Sequence, residues 1–441
     1  MNPSAPVTAT NTDTAHSFPP DRRSNDRARA ESAEGTEEAS KEAAPALTIG
    51  REPVTDGRRL RLAYLGDANS RHMRRWLDFF IERGHEVHLF IPARDVVKVA
   101  LDPRLSVHRF NAWPRIPIRG VGSAVTALSL RREVARIRPD LLHAHYLTRY
   151  GVAGWLSRFH PFVLTVWGSD ILVSLDGSRL RRGRARLVLR AADLVTGGST
   201  HLIRMAIAAG ARPERTRFVH FGVDTARFAP GPFPAALAAR LGTEGRRVVL
   251  STRTIAPLYR QSVVLNALTR LPSDVVVILT RHAAVPDEVE RIEALARELG
   301  IEDRVRIVDE FADADMPDLY RLADVVVSVP RSDGGPVSIV EALAVGRPIV
   351  ATDVPAVREW LEDLDPAGLV PVDDVDATAE ALARALSRDR GSQEDLARRG
   401  RAAIVERADR TRSMEAMERL YLELASRLSP GGSAPLPRDG G

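Results

Sequence analysis

Short apolar runs alternate with longer amphipathic stretches along most of the chain, in two trains separated by a Gly- and Pro-containing interval. In the first train, Leu60–Leu65, Glu86–Ile91, Leu141–Ala144, Phe162–Val166 and Leu194–Gly197 are apolar and too short for helices, which predicts strands. Arg71–Arg83 between them has helical spacing. The second train opens at Arg247–Ser251 and continues through Val275–Thr280, Val305–Val308, a β-branched run from Val325 that Pro330 ends, and Pro348–Thr352. Continuous rather than alternating apolar strands, interleaved with helices, predict parallel sheets covered on both faces. The expected fold class is therefore α/β, as two doubly wound halves. A last stretch, about 411–428, carries Met414, Met417, Leu420, Tyr421 and Leu424 at helical spacing.

A length of 441 residues exceeds one ordinary core, consistent with two domains. The pattern divides the chain into a tail (1–57), a first domain (58–225), a linker (226–246), a second domain (247–410), the terminal helix (411–428) and a second tail (429–441). Phe18 is the only aromatic residue of the first tail, so that segment cannot bury enough apolar surface to offset its ordering entropy, apart from a transient helix around 28–43. The absence of cysteine excludes disulfides, zinc–thiolate sites and thiol catalysis, and fits a reducing compartment. No 18-residue apolar run and no leader-like stretch occur, so a cytoplasmic location is expected. The net charge of +5 comes almost wholly from arginine, since Lys41 and Lys98 are the only lysines. No basic stripe with interleaved aromatics suggests nucleic-acid binding.

Candidate chemistry concentrates between Ala323 and Asp353. A buried strand runs into the polar loop Asp333-Gly334-Gly335-Pro336. Val337–Val345 then reads as a helix that Gly346 stops. A strand, a glycine loop and a helix start suit a phosphate, because outward-pointing amides at the helix N-terminus can be approached closely over glycine. Glu341, one turn inside, can accept hydrogen bonds from a ribose diol. Asp333, eight positions earlier in the loop, could face whatever the phosphate carries.

An acidic residue, seven intervening residues, a glutamate and then Ala-Leu-Ala-x-Gly-x-Pro (Ala342 to Pro348) resemble the retaining glycosyltransferases of family 4, which have the two-domain GT-B fold. The resemblance spans about 60–428, including the interdomain-like segment His220–Pro234. At the first acidic position the family usually has glutamate, where this chain has Asp333. The resemblance implies two facing Rossmann-like domains, with the nucleotide sugar on the second and the acceptor on the first. It further implies that Arg253 and Arg260 reach the diphosphate, with Gly334, Gly335, Pro336 and Val337 forming the phosphate loop. The family's second cation is a lysine five residues after the arginine; here Arg260 comes seven after.

In the first domain the resemblance points to Gly66 and His72, although the family's paired glycines are missing there. Trp167 stands where the family often has a histidine near the transferred sugar. Asp170 and His145, at neighbouring strand ends, are catalytic candidates beside Asp333 and Arg253. Their structural alternatives are a helix cap for Asp170 and a backbone-bonded strand-end histidine for His145.

The implied activity moves a hexose from a nucleotide-diphosphate sugar to a hydroxyl of a glycan or glycolipid acceptor, without cofactor or metal. Asp313-Ala314-Asp315 and Asp374-Val375-Asp376 are read as loop acids rather than metal ligands. The six arginines of Arg179–Arg190 form either a solvated helix face, with Leu180, Leu187 and Leu189 turned inward, or a reader of an anionic lipid-linked acceptor or membrane surface. Two alternatives stay open: a non-catalytic nucleotide-sugar-binding partner of a glycosylation complex, and another GT-B enzyme such as an epimerase. A pyridoxal-dependent phosphorylase is disfavoured because the second domain has no lysine, and a dinucleotide oxidoreductase because Leu60–Leu65 is not followed by Gly-x-Gly-x-x-Gly. The sequence leaves the oligomeric state open.

Overall fold

The computed structural model describes residues 57–111, 121–175, 178–281, 284–309, 311 and 314–427. Apart from Gly57 the two predicted tails lie outside these residues, as do the helix expected around 28–43 and Asp313. Two parallel sheets form the chain. The first joins β1 (Arg61–Leu65), β2 (Glu86–Pro92), β3 (Ser106–Phe110), β4 (Leu141–His145), β5 (Phe162–Val166), β6 (Leu194–Gly197) and β7 (Thr216–Phe218) in the order β3-β2-β1-β4-β5-β6-β7. The second joins β8 (Arg247–Ser251), β9 (Val275–Thr280), β10 (Val305–Val308), β11 (Val325–Ser328), β12 (Ile349–Thr352) and β13 (Leu369–Val370) in the order β10-β9-β8-β11-β12-β13. Neighbouring strands are parallel throughout, as buried apolar runs require.

This architecture bears out the α/β expectation of two doubly wound halves. Strand order reverses between β1 and β4 in the first sheet and between β8 and β11 in the second. Crevices for ligands open beyond the carboxyl ends of the strands at such reversals. Arg253 follows β8 and Asp333 follows β11, so both stand at the second crevice. Gly66 follows β1 and Tyr146 follows β4, at the first.

The helix Arg410–Arg427 packs on the first sheet, where Met414, Met417, Tyr421 and Ala425 share a core with Leu62, Tyr64, Leu89 and Val163. Its polar contacts are equally specific. The Tyr421 hydroxyl lies 2.5 Å from His143 Nδ1, and Glu418 accepts from Arg83 Nη2 at 3.0 Å. The chain therefore crosses between domains twice, and the crossings are bonded together: Val223 N–H donates to Ala408 O at 2.8 Å, and Arg410 N–H to Val223 O at 2.9 Å. Gly222 is required there. Its φ is +74°, and a Cβ would stand 2.4 Å from Arg410 Cα.

Two further contacts join the domains. Ser199 Oγ donates to Gly334 O at 2.7 Å. Glu359 accepts from the N–H groups of Thr200 (3.1 Å) and His201 (2.8 Å), and from the Thr200 hydroxyl, so a second-domain carboxylate caps the first-domain helix Thr200–Ala208.

Candidate active site

The helix Val337–Val345 begins and ends where its sequence directs, with Pro336 before it and Gly346 (φ +83°) as the left-handed C-cap. Its apolar residues are buried all round, and Glu341 is buried with them at 7 % exposure. A carboxylate in that position needs partners. One oxygen accepts from the Tyr320 hydroxyl at 2.8 Å; the other lies 3.2 Å from Arg75 Nη1, on the first-domain helix Arg71–Glu82. Tyr320 is also hydrogen-bonded to Thr252 Oγ1 at 2.8 Å. Burial, then the neighbouring Glu341 charge, push its hydroxyl pKa well above the usual tyrosine value, so it stays a donor.

Arg253 sits at the centre of the second-domain cluster. Its Nη2 is 3.1 Å from Asp333 Oδ2, its Nη1 is 3.4 Å from Ser338 Oγ, and its guanidinium lies 4.3 Å from the centre of the Tyr259 ring. Burial opposes the charge, but Asp333 and Tyr259 outweigh it and hold the Arg253 pKa above the usual value. Buried Gln261 donates through Nε2 to Thr254 O at 2.8 Å and Arg253 O at 3.4 Å, which fixes the loop carrying the arginine.

The phosphate-loop expectation needs revision in two details. Gly335 N–H donates to Asp333 Oδ1 at 3.2 Å, an Asx turn, and Val337 N–H donates to Gly335 O at 2.9 Å. Pro336 has no N–H. The predicted 335–337 amides are thus used within the loop, leaving Arg253 and the Ser338 hydroxyl as the polar groups gathered beside Asp333. Arg260 does not join them. It adopts φ +54° at the start of the helix Gln261–Leu268 and pairs with Asp373, which also accepts from Arg331 Nε at 2.8 Å. The two extra residues after Arg253 carry Arg260 past the cluster.

Across the cleft the glycine loop meets the first domain. A Cβ on Gly334 would lie 2.4 Å from Gly168 Cα, so these two backbones touch through glycine alone. Gly168 follows Trp167, whose ring stacks on Phe221 with centroids 4.5 Å apart. His72 lies 5.7 Å from the Trp167 ring and lines, with Arg75, Trp76 and Phe221, a cavity of about 10 Å³, the size of one water. Gly66 admits a neighbour: a Cβ there would meet Met73 Sδ at 2.7 Å.

Asp170 and His145 are placed differently from a group poised on a ligand. Asp170 is fully buried, and its carboxylate accepts N–H groups from Leu147 (2.7 Å), Gly168 (2.9 Å) and Trp167 (3.0 Å). Burial raises its pKa, and those hydrogen bonds offset part of the rise. It shapes the two strand-end loops. His145 is buried among Trp76, His143 and Trp167, and no hydrogen bond reaches either ring nitrogen among the described residues. Burial pushes its pKa down to about 3, so the ring is neutral. The backbone-carbonyl alternative raised for it is not what the structure contains.

Tyr320, Tyr259, Gln261 and Ser338 were not singled out from the sequence, although Tyr259 and Gln261 flank Arg260 in the loop that was. Of the acidic doublets, Asp374 caps the helix Val375–Leu386 through Ala377 N–H at 2.9 Å, and Asp376 pairs with Arg270. Among the described residues no group of three or more His, Asp or Glu side chains is arranged to hold a metal ion. No helix there is long and apolar enough to cross a membrane.

The family model for glycosyl transferase 4-like domains matches residues 61–199, and that for glycosyl transferases group 1 matches 236–403. Among known proteins, the chain is 31 % identical over 336 residues to a D-inositol 3-phosphate glycosyltransferase of Mycobacterium sp. (strain KMS), covering 69 % of this chain and 74 % of the relative. The enzyme of that name from Saccharomonospora viridis is 31 % identical over 266 residues, covering 56 % and 61 %. Among solved structures, Anabaena HepE in complex with UDP and glucose superposes with a TM-score of 0.70 at 22 % identity, over 83 % of this chain and all of that one. WaaG, a glycosyltransferase involved in lipopolysaccharide biosynthesis, superposes with a TM-score of 0.62 at 15 % identity, over 84 % of this chain and all of that one.

Proposed function

The chain belongs to glycosyltransferase family 4 and has the GT-B fold, and from that premise we propose that it transfers a hexose from a nucleotide-diphosphate sugar to an acceptor hydroxyl with retention of configuration. The observation that carries this reading is the cluster at the β8/β11 crevice. There Arg253, the Ser338 hydroxyl, Asp333 and Glu341 converge within a few side chains of one another, opposite Gly168. The guanidinium would take the diphosphate oxygens, Glu341 the ribose diol and Asp333 the sugar.

In the step proposed, the bond from the anomeric carbon to the diphosphate oxygen breaks while the bond to the acceptor oxygen forms on the same face. The acceptor proton passes to the departing phosphate oxygen. The protein then contributes positioning and charge stabilisation, and losing one such contact costs on the order of 100-fold in turnover. His72 and Trp167 would border the acceptor. A glycan or glycolipid acceptor and a phosphorylated cyclitol, the class named for the mycobacterial relatives, are the acceptors to assay. The HepE complex makes UDP-sugars the first donors to try.

Titration calorimetry with UDP-, GDP-, ADP- and TDP-sugars, on wild type and Glu341→Ala, tests the donor site. One nucleotide class binds the wild type and is lost in the variant. Equal binding by both proteins sinks the reading. The anomeric configuration of the product, read by NMR, decides retention.

Peripheral attachment to an anionic membrane belongs to the same reading. On the helix Arg179–Ala191 only Leu189 of the three leucines expected to face inward is buried; Leu180 is 82 % and Leu187 54 % exposed, one above the other at a seven-residue spacing. Arg179, Arg186 and Arg190 border them, and no ion pair holds these three among the described residues. Cosedimentation with phosphatidylglycerol vesicles, lost in Leu180→Ser/Leu187→Ser, is the expected result; an unchanged bound fraction excludes this helix.

A further inference from the structure

Glu341 is the residue to which the proposed function gives the ribose, yet its carboxylate already has a partner from the other domain. Arg75 Nη1 stands 3.2 Å from Oε1, with the two side chains 15 % and 9 % exposed. The helix Arg71–Glu82 that carries Arg75 also places Arg71 Nη2 3.2 Å from Phe311 O. Its first-domain anchorage is firm, since Met73, Trp76, Leu77 and Phe80 are buried in the first core. Tyr320, the other donor to Glu341, belongs to the second domain and travels with it. The Arg75 contact alone among the two depends on how the domains sit.

We propose that Arg75 is a built-in competitor of the donor: its guanidinium occupies the ribose-binding oxygen of Glu341, and nucleotide binding must exchange that interdomain ion pair for the ribose hydroxyls. The inference rests on the ribose role of Glu341. Its physical basis is the cost of leaving a buried carboxylate half-partnered. With the domains together, Arg75 satisfies Oε1; when nucleotide takes that oxygen, the guanidinium gives up this contact and one tie between the domains is cut. Donor affinity and domain arrangement are thereby coupled, and the coupling works in both directions. A nucleotide that lacks the ribose hydroxyls cannot make the exchange.

The exchange gives Arg75 a sign opposite to that of a nucleotide ligand. Replacing Arg75 with methionine keeps much of the aliphatic stem and removes the competitor, so nucleotide binds more tightly, by roughly tenfold within the usual range of such couplings. The experiment is titration calorimetry of the matching nucleoside diphosphate and its 2′,3′-dideoxy analogue into wild type, Arg75→Met and Glu341→Ala, each checked for folding by circular dichroism.

Tighter binding of the diphosphate to Arg75→Met, with the dideoxy analogue binding wild type and variant alike, is the expected result. Unchanged or weaker binding of the diphosphate overturns the proposal, as would an equal gain for the analogue. Should Arg75→Met fail to fold, Arg75→Lys, which keeps the charge without the planar fork, must still move affinity in the same direction by a smaller factor. The underlying donor reading fails separately, through Glu341→Ala binding nucleotide as well as wild type does.

Discussion

The second-domain crevice and the first-domain crevice lie on the same kind of sheet reversal, yet they are built in opposite ways. In the second, polar side chains converge on one another: Arg253, after β8, on Asp333, after β11, and the neutral Tyr320 hydroxyl, from the helix Met316–Leu322, on Glu341. In the first, the polar residues at the strand ends are turned to internal work. Asp170 is consumed by three backbone N–H groups, His143 by Tyr421 and Thr165, and His145 by aromatic packing. Under the proposed function, the crevice that takes the charged diphosphate is made of side chains fixed beforehand. The first instead presents Gly168 and Trp167 on a frame that Asp170 stiffens. The contrast is chemical rather than topological.

The most damaging change to this picture would be in the charged crevice. Arg253→Ala should reduce turnover by about 100- to 1,000-fold, while the unfolding midpoint of the first domain stays put. A loss below fivefold in a steady-state assay would mean that the diphosphate is held elsewhere. Next is Asp170→Ala, which strands two buried N–H groups and a part-buried one and should cost about 3 kcal/mol in denaturant unfolding. The folded fraction should keep its nucleotide affinity. If instead stability holds and only turnover collapses, the first crevice has a chemical carboxylate after all.

The smallest effect concerns His145. Its folded-state pKa of about 3 lies below the ordinary 6.5, so the unfolded chain takes up a proton that the native state refuses. The stability tied to its neutrality is complete above about pH 6.5 and is lost as pH falls toward 3. His143, lowered by burial and then by His145, and His220, lowered by burial to about 4, act with the same sign. His145→Phe should therefore only partly flatten the decline, by about 1 kcal/mol between pH 7.5 and 5.5. Identical slopes for wild type and variant would remove the ring from the acid response. A large loss of turnover at pH 7.5 would return it to the chemistry.

Most of the fold could be read from the pattern of apolar runs, because buried parallel strands carry their signal in contiguous residues. Ten strands were expected within a residue or so of their positions. β3, β7 and β13 were not, and all three are sheet edges. β3 (Ser-Val-His-Arg-Phe) is half exposed, and β13 has two residues, so neither needs an apolar run. The loop and helix from Asp333 to Pro348 were legible as elements for a similar reason, since they form one unbroken stretch. Arg75 was not, because its partner is 266 residues away and an arginine on an amphipathic helix resembles any other. Arg260 misled because spacing along a loop does not say where the loop turns.

The return of the last helix to the first sheet also bears on how the molecule is made. Tyr421 closes the face formed by Tyr64, Trp76 and His143, and it leaves the ribosome about 200 residues after β7 completes that sheet. At about 5–20 residues per second, the first domain waits on the order of 10–40 s with that aromatic face uncovered, while the whole second domain is synthesised. Order of synthesis and order of completion are thus inverted: the half begun first is finished last.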